Sequence, residues 1–182
     1  MTMKDRTAAL REIRKQLKTG KPLMIMEAIR LCREEGHPEL VTDLMDALAK
    51  RQIPSIRESI ISLLNDLNQQ QIAPVIANYI KTHNDHPELP ALVSACWQSR
   101  LNFFEHIPVF VDLLIEKDYP VALEAFTVIE TYMHTAEPGI LTIQAERLQS
   151  CIPLLDNDKK VLVREMITML KSTVSGSGTS GE

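Results

Sequence analysis

The sequence predicts an all-α chain built as a stack of helical hairpins, on three observations. Four prolines, Pro22, Pro54, Pro87 and Pro120, recur at spacings of 32, 33 and 33 residues, and a fixed period in this range marks a helical solenoid. Counted from each proline, one apolar stripe repeats in register. Position +2 holds Met24, Ile56, Leu89 and Ala122; position +6 holds Ala28, Ile60, Val93 and Phe126; position +9 holds Leu31, Leu63, Cys96 and Ile129. These offsets share one helical face. Strand signals are missing as well: no sustained polar–apolar alternation occurs, aromatics make up 4% and glycines number six.

A second ladder interleaves with the first. The segment from Glu39 to Met45 aligns with Pro74 to Ile80 and with Pro108 to Leu114, at offsets of 35 and 34. Leu40, Val41, Leu44 and Met45 define its buried face, and the other two copies repeat it. Each repeat is therefore an A helix from this second ladder followed by a B helix from the proline ladder, and neither buries its stripe alone.

In chain order, residues 3–18 read as a helix with Ala9, Leu10, Ile13 and Leu17 on one face, stopped by Gly20. Its wide polar face suits an end cap; the same basic face could instead meet an acidic partner or a membrane surface. The first B helix covers residues 22–35, closed by Gly36, and Pro38 opens an A helix running to Lys50. Residues 54–67 form the second B helix, followed by a polar linker at residues 68–71 and the Pro74 helix to Thr82. After a loop at residues 83–86 come a B helix at 87–100, an A helix at 106–117 and a B helix at 120–134. Proline suits these starts, because the first turn lacks a partner for the missing N–H. Beyond Met133 the period loosens: a turn at residues 137–139, a helix at 140–151 interrupted by Pro153, and a last helix at 159–171 with Asp156 to Asp158 as its cap. The expected organisation is one repeat domain over residues 1–173, with residues 1–20 and 137–173 as caps and residues 174–182 as a flexible Ser/Gly tail.

A chain of 182 residues can bury roughly 70% of its unfolded surface without staples. Cys32, Cys96 and Cys151 are odd in number and scattered, a poor disulfide framework that points to a reducing compartment. No apolar run reaches the length of a membrane span, and no signal-peptide core is visible, so a cytoplasmic location is expected. Residues 1–21 carry seven basic and two acidic side chains, a balance of +5; the total of −4 leaves −9 on the rest. That acidic body disfavours non-specific nucleic-acid binding, which depends on neutralising phosphates.

Catalytic signatures are missing. His83, Asp85, His86 and Glu88 are the one metal-like cluster, and two loop histidines three apart without a second ligand pair are a weak zinc signal; helix capping at a turn explains them better. The repeated His-Pro-Glu-Leu at residues 37–40 and 86–89 reads as a reused helix start. No phosphate-cradling glycine loop or nucleophile elbow occurs. Cys96 lies on the apolar stripe as a core residue, Trp97 reads as repeat packing, and Phe103-Phe104 as a plug between repeats. No enzyme activity, metal or cofactor is expected.

The hairpin length, the paired stripes and the run from Pro54 to Leu64 resemble HEAT repeats, in whose second helix a basic residue follows an apolar one. Here that residue is Arg57; Ile25, Pro90 and Leu123 replace it in the other copies. The resemblance covers residues 22–134. It implies a right-handed superhelix of about five antiparallel helix pairs, and a non-catalytic scaffold that holds a peptide or protein partner in a concave groove lined by B helices. The face opposite the stripe would supply that groove: Met26, Arg30, Arg33, Glu58, Ser62, Asn65, Ala91, Ala95, Gln98, Glu124, Val128 and Thr131. An uncharged centre with arginines at one end and Glu124 at the other suits an extended peptide or a helix with apolar anchors. The alternative within the HEAT-like class is a nucleic-acid-binding or base-repair module, whose basic groove the acidic body lacks.

Overall fold

The computed structural model describes residues 3–35, 38–50 and 53–177. The expected stop at Gly36, the His37 of the repeated tetrapeptide and the last five residues of the expected tail lie outside them. Among the described residues there are ten α-helices and no strand: α1 (Met3–Thr19), α2 (Pro22–Glu35), α3 (Val41–Lys50), α4 (Pro54–Asn65), α5 (Ala73–Thr82), α6 (Leu89–Gln98), α7 (Ile107–Glu116), α8 (Tyr119–Tyr132), α9 (Pro138–Cys151) and α10 (Asn157–Ser177). Short 3-10 turns precede α3, α5 and α7 and follow α8 and α9.

The chain divides into two compact units, Met1–Leu101 and Asn102–Glu182. In the first unit, consecutive helices pair as α1–α2, α3–α4 and α5–α6; α1, α3 and α5 are neighbours in one row and α2, α4 and α6 in a second. In the second unit, α7 pairs with α8 and α9 with α10, with α7 beside α9 and α8 beside α10.

The sequence period becomes hydrogen bonds within these units. Arg6 to Glu39 (2.7 Å), Tyr79 to Asp46 (2.9 Å), Asn65 to Gln98 (2.8 Å) and Arg33 to Asp66 all join residues 33 apart. A side chain in one hairpin thus meets its counterpart one period away in the next.

The stripes form the core, and each fully buried aliphatic side chain contributes roughly 1.5–3 kcal/mol. Ile56, Ile60, Leu63, Val93, Cys96, Ala122, Phe126 and Ile129 are buried as expected, as are Leu40, Val41, Leu44 and Met45. Met24, however, is 43% exposed, and Val75 is 40% exposed. The buried face of α2 is Ile25, Ala28, Ile29 and Cys32, an i, i+3, i+4, i+7 set rotated by one position from the expected one. Leu31 is half-buried. Pro87 does not open a helix. It lies in a turn, and Pro90 occupies the first turn of α6.

α1 caps the first unit through charge. Arg14 bonds Asp43 (2.8 Å) and the Glu39 carbonyl (3.0 Å), and Lys18 lies 3.5 Å from Asp43. The helix ends at Gly20, whose N–H reaches the Gln16 carbonyl at 2.8 Å. A Cβ there would stand 2.4 Å from that same oxygen, so only glycine fits.

In the second unit Phe103 is fully buried, edge-on to Phe110 at 5.8 Å and 6.0 Å from Tyr132; Phe104 is half-buried. Lys159 is buried and donates to the Ile115 (2.5 Å) and Lys117 (2.7 Å) carbonyls at the end of α7, where unpaired carbonyls attract a cation. Burial lowers its pKa, against the opposing pull of Asp156, Asp118 and Glu116. α10 continues through Ser177, so the first residues of the expected flexible tail, 174–177, are helical.

Candidate interaction cleft between α2 and α4

α2 and α4 are adjacent in the second row of the first unit, and a cleft of about 380 Å³ opens between them. Five of the residues singled out from sequence line it: Met26, Arg30, Arg33, Glu58 and Ser62. Ile29 and Ser59 complete it. Ser59 was missed because it sits on the flank of α4, where stripe counting gives no signal.

The charges of the cleft are unequally committed. Arg30 is held by Glu27 through two bonds (2.9 and 2.6 Å) and by Glu34 (2.5 Å) on its own helix. These carboxylates raise the Arg30 pKa, and its hydrogen bond depresses that of Glu27. Arg33 reaches across to Asp66 and, at 3.0 Å, to the Ser62 hydroxyl. The Glu58 carboxylate is exposed and makes no hydrogen bond or ion pair among the described residues. The cleft therefore offers an apolar floor from Met26 and Ile29, two arginines already engaged, and one carboxylate open to a cation.

The remaining candidate residues separate. Asn65 and Gln98 bond one another, and Gln98 also bonds Ser94 (2.7 Å); Ala91 is half-buried. Ala95 is 4% exposed and Val128 is 0% exposed, so neither lies on an open face. Each sits on a helix gripped from two sides, α6 by α4 and α5, and α8 by α7 and α10. The buried arc widens accordingly. In the second unit Glu124 is half-buried and Thr131 exposed, with its hydroxyl bonded back to the Thr127 carbonyl (2.7 Å).

The histidine cluster has structural work. His86 is buried; its Nδ1 accepts the Glu88 N–H (3.0 Å), which leaves Nε2–H to donate to the Met45 carbonyl (3.1 Å). His83 stacks on Tyr79 at 4.1 Å. Burial, reinforced by Asp46, raises the Tyr79 pKa. Among the described residues no group of three His, Cys, Asp or Glu side chains could hold a metal ion. Cys96 is enclosed; burial pushes its thiol pKa up and it bonds the Leu92 carbonyl (3.4 Å), which is the opposite of an activated nucleophile. Trp97 keeps 38% of its surface open. Arg57 forms an ion pair with Glu88 (2.8 Å), a tie from α4 to the turn before α6. No helix among the described residues is long and apolar enough to cross a membrane.

Comparison of the chain with protein-family models, curated proteins and solved structures returned no match.

Proposed function

We propose that the protein is a non-catalytic interaction scaffold of HEAT-like, right-handed build that works in a reducing compartment and binds a peptide segment in the α2–α4 cleft. The supporting observation is the uncommitted Glu58 carboxylate beside the apolar Met26–Ile29 floor, within a cleft about 380 Å³ in volume. An apolar anchor next to a lysine or arginine fits that arrangement, since the anchor is desolvated while the cation meets Glu58. The period of the chain supports the scaffold reading, because repeated hairpins present the same positions side by side.

A displayed random-peptide library tests this. Enriched peptides should carry an apolar residue flanked by Lys or Arg. Glu58→Arg should weaken them at least about tenfold, equivalent to about 1.4 kcal/mol, with an unchanged melt. No enrichment over an unrelated protein, or full binding to the Glu58→Arg variant, would sink the proposal.

A further inference from the structure

In the second unit, α9 packs on α7 and α10 on α8. Along the α9–α10 pair run two adjoining hollows, about 750 and 320 Å³, that share Lys171 and Ser175. The wall contributed by α10 follows one helical stripe, Arg164, Ile167, Thr168, Lys171 and Ser175. Ile152, Ile167 and Ala145 make an apolar floor, with Ile167 at 5% and Ala145 at 3% exposure.

The charges of this groove are open. The Arg164 guanidinium and the Lys171 ammonium make no hydrogen bond or ion pair among the described residues; their backbone carbonyls are engaged by the Thr168 and Ser175 hydroxyls. Arg6, Arg14, Arg30, Arg33, Arg57 and Arg147 all have carboxylate partners. The acids of α10 itself, Asp158 and Glu165, line a different hollow beside Tyr119. One carboxylate, Glu146, lies at the smaller end. In a chain whose net charge is −4, a cationic stripe over an apolar floor selects an acidic occupant.

Geometry selects its form. From Arg164 to Ser175 the stripe extends about 16 Å, three helical turns, and Arg164 and Lys171 stand about 10.5 Å apart along the axis. A helix lying between α9 and α10 would set an i, i+3, i+4, i+7 apolar stripe on the floor and carboxylates two turns apart against the two cations. Docked through its own α9–α10 groove, or through the exposed Arg11 and Lys15 of its α1, a second copy of this chain would bring like charges together.

We propose that the α9–α10 groove docks an acidic amphipathic helix of a protein partner. This surface is separate from the α2–α4 cleft and does not depend on it.

The test uses the full chain and two fluorescein-labelled amphipathic helical peptides with the same leucine stripe, flanked by glutamates in one and lysines in the other. By anisotropy at about 150 mM salt, the glutamate peptide should bind at least about tenfold tighter. R164E/K171E should reverse that order and R164Q/K171Q should erase it, each with an unchanged circular-dichroism melt. Glu58→Arg should leave the glutamate peptide's affinity as it was. If charge reversal unfolds the chain, the glutamine pair carries the same comparison. Absent or equal binding of the two peptides, or a preference that survives in folded variants, overturns the proposal. So does a wild-type dimer dissolved by R164E/K171E, which would make a second copy the occupant. A single-stranded oligonucleotide that displaces the glutamate peptide at that salt would make it nucleic acid and overturns the proposal equally.

Discussion

Ala91 and Ala95 lie one helical turn apart on α6, yet the first is half-buried and the second is 4% exposed. Replacing each with arginine separates a half-buried position from a core one. At Ala95 the added side chain must be overpacked, at about 1–3 kcal/mol. Its guanidinium loses water at a further cost of several kcal/mol, offset where the long chain can snorkel to the surface. The net expected loss for Ala95→Arg is at least about 3 kcal/mol, against less than about 1 kcal/mol for Ala91→Arg. Urea titration followed by helical ellipticity reads both. A stability loss below about 0.5 kcal/mol for Ala95→Arg would refute the two-sided enclosure of α6.

Phe103→Ala removes a fully buried ring from its aromatic neighbours and should cost about 3–5 kcal/mol by urea unfolding. Burial lowers the His106 pKa below its usual 6.5. The unfolded chain therefore takes up its proton first as pH falls, so the stability that His106 contributes is present above about pH 6.5 and is lost as pH drops through the lower folded value; His106→Gln should flatten that part of the stability-versus-pH curve. A double-mutant cycle on Arg57 and Glu88, a partly exposed pair at 2.8 Å, should return a coupling of about 0.2–1 kcal/mol that shrinks in high salt; a zero coupling would make the contact incidental. Labelled duplex DNA at about 150 mM salt should show no sub-micromolar binding, as the −9 balance of residues 22–182 repels phosphate.

The sequence by itself determined the helices and their order. Apolar residues at helical spacing, prolines at first turns and a 33-residue recurrence are local, periodic signals, and they placed most starts and ends within a few residues. The same recurrence reappears in the structure as contacts, since Arg6–Glu39 and Asn65–Gln98 are one period apart. Rotation about each helix axis was decided by tertiary structure. Met24 and Ile25 are both apolar neighbours, and only the packing of α2 on α1 and α4 selects Ile25 for the core. Ala95 and Val128 look like small surface residues in a list of letters; contact from two neighbouring helices encloses them. Pro87 and Pro90 both satisfy the rule for a helix start, and the choice fell to Pro90 while His86, bonded to the distant Met45 carbonyl, holds the turn before it. The division at Leu101 and the engagement of Arg30 and Arg33 beside an open Glu58 depend on which charges and apolar surfaces meet in space. Sequence records which residues can be buried or paired. The competition among neighbouring helices for the same faces settles which ones are.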